Sequence, residues 1–193
     1  MNRVLILIGP SGCGKTTIAN ELDKTLDFVR ATTDTTRPPR KGERDGVDYN
    51  FVTEEWLIEH KSEYIEVNHF IEKGWYGSNA LRIDRARANA DCVIALEING
   101  ARKVKEYYGS DTVFVIYVKR ERAFLINALE QRVADGEMSP HELDERIKKI
   151  DIDMESEFDP AVDLVLDNNG TIADSVKQIY DFVENDYGRI KAE

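Results

Sequence analysis

Several features are scarce in this sequence of 193 residues. It has two cysteines, Cys13 and Cys92, which form no pair motif, so neither a disulfide framework nor a zinc site is expected and both thiols should be reduced. Its three histidines lie far apart, without metal-ligand spacing. No apolar run approaches the roughly 20 residues that span a bilayer, and the run near the N-terminus is shorter than that of a signal peptide. We therefore expect a cytoplasmic protein with no membrane segment.

Basic residues are also fewer than acidic ones. The 37 acidic residues outnumber the 26 lysines and arginines, which gives a formal net charge of -11. This balance argues against general binding to nucleic acid or to an anionic membrane. The length suits one domain with a substantial core and small additions. Monomer and homodimer are both compatible with this composition.

What the sequence does contain is a glycine-rich segment, GPSGCGKT (residues 9–16), with the spacing G-x-x-x-x-G-K-[ST]. Its glycines let backbone N–H groups turn inward toward a phosphate, and the start of a following helix adds partial positive charge. Lys15 adds a full charge, and Thr16 can place its hydroxyl on a Mg²⁺ that bridges two phosphates. A glycine-rich turn without a ligand is disfavoured, since it would not need Lys-Thr. The predicted ATP-binding residues are Gly9, Ser11, Gly12, Cys13, Gly14, Lys15, Thr16 and Thr17, with Thr16 as the metal ligand.

The context of this segment is that of an α/β protein. The apolar run VLILI (residues 4–8) predicts a buried parallel strand, and apolar residues then recur every four positions from Ile18 to Leu26, which predicts a helix. Further buried strands are predicted at residues 92–96, 112–118 and 162–166, each separated from the next by helical sequence. Glu97 follows one of them, at the carboxyl end where open α/β sheets bind ligands.

A basic segment, TTRPPRKGER, follows the predicted second strand. Its two prolines exclude a helix, and polyproline geometry has three residues per turn, so Arg37 and Arg40 would project from the same side. Two arginines held in this way suit one phosphate, because a guanidinium matches phosphate oxygens with two parallel hydrogen bonds. A solvated basic loop is the plainer interpretation, but the acidic composition and the glycine-rich segment favour phosphate.

Two further regions are predicted to attach to this core. Alternating segments at residues 47–52 and 63–70, with an extended piece at 75–78, predict a small antiparallel insert that could hold a second substrate. Residues 120–133 and a helix capped by Ser139, with Glu142 completing a capping box, predict a helical hairpin. The hairpin is polar on most faces, so a mobile lid and a solvated peripheral hairpin are equally compatible with it.

With these motifs in place, the sequence resembles the guanylate kinase family over nearly its whole length. The resemblance is carried by GPSGCGKTT, by TTRPPRKGERDGVDYNFV, and by YIE followed by WYGS. It implies a P-loop NTPase fold, α/β with a mainly parallel sheet flanked by helices, in a single domain. The implied parts are a core (1–33, 80–121 and 154–193), a monophosphate-binding insert (34–79) with a small antiparallel sheet, and a helical lid (122–153).

The resemblance also implies a site for GMP as the phosphate acceptor. In that site Glu66 could accept the N1–H and the exocyclic NH₂ of guanine together, whereas adenine presents an acceptor at N1. The implied GMP-binding residues are Thr33, Arg37, Arg40, Tyr49, Glu66, Tyr76, Ser78 and Glu97. The implied catalytic residues are Lys15, Arg37, Arg132 and Arg146, the last two in the lid.

The predicted activity is transfer of the γ-phosphate of Mg-ATP to GMP or dGMP, giving ADP and GDP or dGDP. One alternative is a non-catalytic guanylate kinase-like binding module, which Lys15 and Thr16 argue against because a scaffold needs no Mg-ATP site. Another is a P-loop kinase that acts on a different monophosphate or a phosphorylated sugar. Ala95 keeps this second alternative open, since it stands where the family normally has an acidic residue.

Overall fold

The computed structural model describes residues 2–25, 27–40, 42–70 and 74–190, which form strands and helices arranged around two sheets. The strands are β1 (Val4–Ile8), β2 (Phe28–Arg30), β3 (Asp34–Thr35), β4 (Asn50–Phe51), β5 (Tyr64–Phe70), β6 (Gly74–Asn79), β7 (Asp91–Ala95), β8 (Val113–Lys119) and β9 (Val162–Asp167). The helices are α1 (Lys15–Leu22), α2 (Glu54–Glu59), α3 (Ala80–Ala86), α4 (Ile98–Tyr108), α5 (Arg122–Ala134), α6 (Pro140–Glu155) and α7 (Ile172–Ile190). Leu26, which was predicted to extend the stripe of α1, lies outside the described residues.

The larger sheet has five parallel strands in the order β2-β7-β1-β8-β9. Its central strand β1 is buried at every position, as an unbroken apolar run predicts for a strand covered on both faces. Leu5 and Leu7 pack into a cluster that includes residues of α1, α5, α6 and α7. Val4, Ile6 and Ile8 pack on the other face with residues of α3 and α4. The mainly parallel α/β sheet expected from the sequence is therefore present.

The smaller sheet has four strands in the order β4-β3-β6-β5. It is mixed rather than wholly antiparallel as predicted, because β3 and β4 run parallel while β6 is antiparallel to both β3 and β5. The strand predicted at residues 47–52 is also shorter than expected, since only Asn50–Phe51 is extended. The preceding residues form a turn in which the Arg44 N–H donates to the Asp48 carboxylate at 2.9 Å.

Helices α5 and α6 form the predicted hairpin. Ser139 caps α6, its Oγ accepting the Glu142 N–H at 3.2 Å, and Pro140 occupies the first turn. The narrow apolar stripe of α6 is not solvated, because Ile150 is fully buried in the core cluster and Leu143 and Ile147 pack against it. The division of the chain into core, insert and lid stays a prediction. Within the described part of the chain, we find no helix with the length and apolar character needed to cross a membrane.

Candidate active site

A cleft of about 650 Å³ opens at the carboxyl ends of β1 and β7. Its walls come from the larger sheet, the smaller sheet and the α5–α6 hairpin. The sequence-predicted site residues that line it are Gly9, Ser11, Gly12, Gly14, Lys15, Thr16, Thr17, Thr33, Arg37, Arg40, Tyr49, Glu66, Tyr76, Glu97, Arg132 and Arg146. Two others do not line it: Cys13 is fully buried, and Ser78 is buried behind Glu66.

The glycine-rich loop (residues 9–16) has a backbone that only glycine tolerates at its key positions. Gly9 and Gly14 have φ values of 134° and 102°, in the left-handed region. A Cβ at Gly14 would lie 2.6 Å from the Asn168 side-chain nitrogen. That buried amide donates to the Cys13 carbonyl at 2.7 Å and accepts from the Ser175 hydroxyl at 2.7 Å. Asn168 therefore braces the loop from behind, and Cys13 takes part through its backbone.

Two predicted groups of this loop lie at the start of α1: the charge of Lys15 and the metal-binding hydroxyl of Thr16. The Lys15 ammonium donates to the Gly9 carbonyl at 2.6 Å and to the Pro10 carbonyl at 3.0 Å, so it is folded over the loop. The Thr16 side chain is exposed in the cleft. The loop thus offers a cation, the start of a helix and one exposed hydroxyl in the same place, which suits a phosphate chain with a bound cation.

Arg37 is only 8% exposed, and side chains contact its guanidinium on three sides. Its two terminal nitrogens donate to the Glu43 carboxylate at 2.6 and 2.7 Å, and its Nε donates to the Tyr76 hydroxyl at 2.9 Å. The guanidinium lies 4.9 Å from the centroid of the Tyr49 ring. Burial acts to lower the pKa of Arg37, but the hydrogen bonds to Glu43 and Tyr76, together with the charge interactions with these two groups, outweigh it and the pKa is raised. The cleft therefore keeps a permanent, oriented cation here.

The other predicted phosphate-binding arginines differ in their surroundings. Arg40 donates to Glu142 Oε1 at 2.9 Å, across the cleft from its own segment. Arg146 donates to the same oxygen at 2.9 Å and to the Ser11 hydroxyl of the glycine-rich loop at 2.7 Å. Arg132 is exposed in the cleft, and its side chain has no hydrogen-bond or ion-pair partner among the described residues. Three arginines from two regions thus face the glycine-rich loop and the space beside it.

The predicted base-reading end is built around Glu66 on β5, which is 6% exposed. Ser78, its cross-strand neighbour on β6, donates to Oε1 at 2.7 Å, and the Asn68 amide donates to Oε2 at 2.5 Å. Burial raises the pKa of Glu66, while the bond from Ser78 acts in the opposite direction. Because Gly100 has no side chain, the carboxylate also fits against the start of α4, where a Cβ would lie 3.4 Å away. The result is a carboxylate fixed in orientation at one end of the cleft.

Glu97 and Thr33 occupy the edges of this end. The Glu97 carboxylate accepts a bond from Lys149 of α6 at 2.6 Å, so it is turned toward the hairpin. Lys149 also lies 5.8 Å from the centroid of the Phe70 ring on β5. Thr33 lines the cleft and its carbonyl accepts the Asn50 N–H at 2.9 Å. The hairpin and the smaller sheet are therefore in direct contact across the opening of the cleft.

Sequence reasoning missed four polar contributors to this site: Glu43, Asn68, Asn168 as a brace, and the carboxylate of Glu142. Glu43 carried a local signal, since it lies within the basic segment three residues after Arg40. Glu142 was interpreted only as a capping residue, and its backbone does serve that role. Its bond to Arg40 joins residues 102 positions apart, for which a single sequence gives no signal.

Comparisons with known proteins show to which family the chain belongs. The sequence model described as Guanylate kinase matches residues 1–186 of the chain. The chain belongs to the guanylate kinase family. A guanylate kinase of Latilactobacillus sakei subsp. sakei is 29% identical, over 97% of this chain and 91% of its own length. Human guanylate kinase is 32% identical, over 92% of this chain and 88% of its own.

A solved structure supports the fold. The crystal structure of guanylate kinase from Anaplasma phagocytophilum superposes with a TM-score of 0.68 at 24% sequence identity, covering 95% of this chain and 85% of that one. This likeness and the parallel sheet confirm the predicted α/β fold of the P-loop NTPase type. The family resemblance stated from the sequence is likewise confirmed, and the activity of that family is the phosphorylation of GMP.

Proposed function

We propose that the protein transfers the γ-phosphoryl group of ATP to GMP or dGMP, giving ADP and GDP or dGDP. The observation that carries this proposal is that the glycine-rich loop and the arginine pair Arg37 and Arg40 line one cleft. A donor phosphate on the loop and an acceptor phosphate on the arginines would therefore face each other. Membership of the guanylate kinase family supports the same reaction.

The chemistry asks the protein to align two anions that repel each other. The attacking oxygen belongs to an ionised phosphate, so no general base is needed, and catalysis rests on position and charge. On the donor side, Lys15 at the loop supplies charge, together with Arg132 and Arg146 from the hairpin. On the acceptor side, Arg37 and Arg40 receive the monophosphate. Tyr76, whose hydroxyl accepts from Arg37 at 2.9 Å, and Tyr49 complete that pocket.

Selection of guanine is assigned to Glu66. Its two oxygens are held by Ser78 and Asn68, and each oxygen retains acceptor capacity for a base. A guanine edge presents two adjacent donors to such a carboxylate, whereas adenine would place a lone pair against it. Thr33 and Glu97, at the edges of the same end, are the remaining groups proposed to contact the base.

The reaction implies Mg²⁺ bound with ATP, and the residues present fit this ion. No group of three or more His, Cys, Asp or Glu side chains among the described residues is arranged to hold a metal. Mg²⁺ in nucleotide sites is bound mainly by phosphate oxygens and water, with few protein ligands, so the exposed Thr16 hydroxyl suffices. When bound, the ion neutralises charge between two phosphates of the nucleotide.

We assign the smaller sheet and its loops (34–79) to acceptor binding and the hairpin region (122–153) to a lid over the core. The contacts of Arg40 with Glu142 and of Lys149 with Phe70 support this assignment, because they join the two regions across the cleft. Closure of the two regions would exclude water and so prevent hydrolysis of ATP. A cytoplasmic location is supported by the free, buried cysteines Cys13 and Cys92.

The proposal is tested by an ADP-release assay on the purified protein with ATP, Mg²⁺ and one of six acceptors: GMP, dGMP, AMP, CMP, UMP and dTMP. We expect turnover with GMP and dGMP and at least tenfold lower kcat/KM with the other four. A higher kcat/KM with one of the other monophosphates would mean that this monophosphate, and not GMP, is the substrate. Absence of ADP release with all six acceptors, in a protein that melts cooperatively, would contradict kinase activity and favour a binding module.

A further inference from the structure

One carboxylate joins arginines from the two sides of the cleft. Glu142 Oε1 accepts from Arg40 Nη2 at 2.9 Å, and from Arg146 Nη2 and Nε at 2.9 and 3.1 Å. Arg146 also donates to the Ser11 hydroxyl at 2.7 Å. A continuous path of polar contacts therefore runs from the glycine-rich loop, through α6, to the arginine segment that follows β3.

The position of Glu142 distinguishes support of these arginines from competition for them. Arg40 and Arg146 line the cleft, but Glu142 does not. The lining of the cleft thus presents the two guanidinium groups rather than the carboxylate, so a phosphate in the cleft would meet the arginines. Each guanidinium has five N–H donors, and the bonds to Glu142 and Ser11 leave several of them for a phosphate.

The charges of Glu142, Arg40 and Arg146, which we call the trio, also indicate that the carboxylate supports the two arginines. The Glu142, Arg40 and Arg146 side chains are 22, 33 and 18% exposed, so their interaction is less screened than that of a fully solvated pair. Without the carboxylate, two guanidinium groups would repel each other across the same space. With it, both cations remain close together before any substrate arrives, and the trio keeps a net positive charge.

We propose that Glu142 is a positioning residue that couples the two phosphate sites. When one nucleotide orders its arginine, the shared carboxylate orders the other arginine as well, so each nucleotide strengthens binding of the other. This inference rests on the proposed function, in which Arg40 serves the acceptor and Arg146 the donor. By thermodynamic linkage, the enhancement is the same whichever nucleotide binds first.

The test measures that enhancement directly. The dissociation constant of GMP is measured by titration calorimetry, with and without a saturating non-hydrolysable ATP analogue and Mg²⁺, and the ratio of the two values gives the coupling. In the wild type we expect a ratio of about fivefold or more, the lower end of typical coupling between sites. In Glu142→Gln the ratio should fall to near one. In Glu142→Asp, which keeps the charge, it should be partly restored.

Glu145→Gln is the matched control, because it removes the same charge from the same helix. Glu145 is exposed and has no side-chain partner among the described residues, so its ratio should equal that of the wild type. Thermal melts of all variants confirm that each is folded.

An unchanged ratio in Glu142→Gln, or tighter GMP binding in that variant without the ATP analogue, would overturn the coupling role. Tighter binding would mean instead that the carboxylate competes with phosphate. A wild type that binds neither nucleotide would count against the proposed function itself, which separates that failure from failure of the coupling role.

Discussion

The two sides of the cleft that we propose to bind phosphate are built in different ways. The glycine-rich loop is a backbone structure, set by positive φ values at Gly9 and Gly14 and closed over by Lys15. The arginine side is a side-chain structure, in which Arg37 depends on Glu43 and Arg40 depends on Glu142. The loop therefore needs little beyond its own sequence and one brace, whereas the arginine side needs two carboxylates, Glu43 from its own segment and Glu142 from α6.

Because of this difference, a single side-chain substitution should affect binding and stability differently on the two sides. Removing the loop lysine takes away one charge and leaves only uncharged partners without it, namely two backbone carbonyls and the Cys13 sulfur. Removing an arginine also leaves a carboxylate without its partner, so binding and stability should both suffer. The predictions below separate these two behaviours.

The largest effect is expected from Lys15→Ala. Since Lys15 is proposed to supply charge to the donor phosphates, kcat should fall by about 10²–10³-fold, the scale of losing a preorganised group that stabilises transition-state charge. The melting temperature should change little, since the partners lost are two carbonyls and the Cys13 sulfur, none of them charged. Steady-state kinetics and a thermal melt check both statements. Lys24→Ala, an exposed lysine just beyond α1, is the control, and a kcat of Lys15→Ala similar to that of this control would contradict the assignment.

Arg37→Ala should reduce kcat/KM for GMP by about thirtyfold or more, or about 2 kcal/mol, the usual loss when one partner of a buried charge pair is removed. It should also lower the melting temperature, because Glu43 is left without its guanidinium. Saturation kinetics in GMP and a melt measure the two effects. Arg44→Ala, an exposed arginine of the same segment, should behave as the wild type. Unchanged GMP saturation in Arg37→Ala would remove it from the acceptor site.

Glu66→Gln should reduce the preference for GMP over AMP by about tenfold, the scale of one hydrogen bond to a charged group. The amide can turn a donor toward N1 of adenine, which the carboxylate cannot do. The ratio of kcat/KM for GMP to that for AMP is the readout. Glu59→Gln at the exposed end of α2 should leave this ratio unchanged, and an unaltered ratio in Glu66→Gln as well would contradict base reading by Glu66.

A smaller effect is expected from pH. Burial raises the pKa of Glu66, so the carboxylate gains a proton at a higher pH than an exposed glutamate would. As pH falls through that pKa, an acceptor for guanine is lost and KM for GMP should rise, by less than tenfold per pH unit. The effect on stability has the opposite sign. Folded Glu66, with its raised pKa, binds a proton more tightly than the unfolded chain does, so this residue contributes a higher free energy of unfolding as the pH falls. The KM profile of Glu66→Gln should lack this rise.

Local signals in the sequence predicted much of the fold. Ser139 was expected to cap a helix, and its hydroxyl accepts the Glu142 N–H at the start of α6. Local spacing acts in the same way at the start of α7, where Thr171 and Asp174 form a reciprocal box. Such features depend on residues three positions apart, where propensity and spacing act directly.

The features that sequence reasoning missed depend on distant segments. The parallel pairing of β3 with β4 follows from the path of the intervening loop, which no periodicity specifies. The Glu142 carboxylate contacts Arg40 because α6 and the smaller sheet meet across the cleft. Side-chain partners of this kind are set by tertiary packing. The candidate site could therefore be predicted as a set of residues, but not as a network of ion pairs.

The strand order has a consequence for how the protein is made. Strand β1 lies between β7 and β8, which are synthesised much later than β1. The amide that braces the glycine-rich loop, Asn168, comes later still, 155 residues after its partner Cys13. A nascent chain therefore cannot complete the packing of its glycine-rich loop until β9 and Asn168 have emerged, and a chain truncated before Asn168 should carry this loop without its brace.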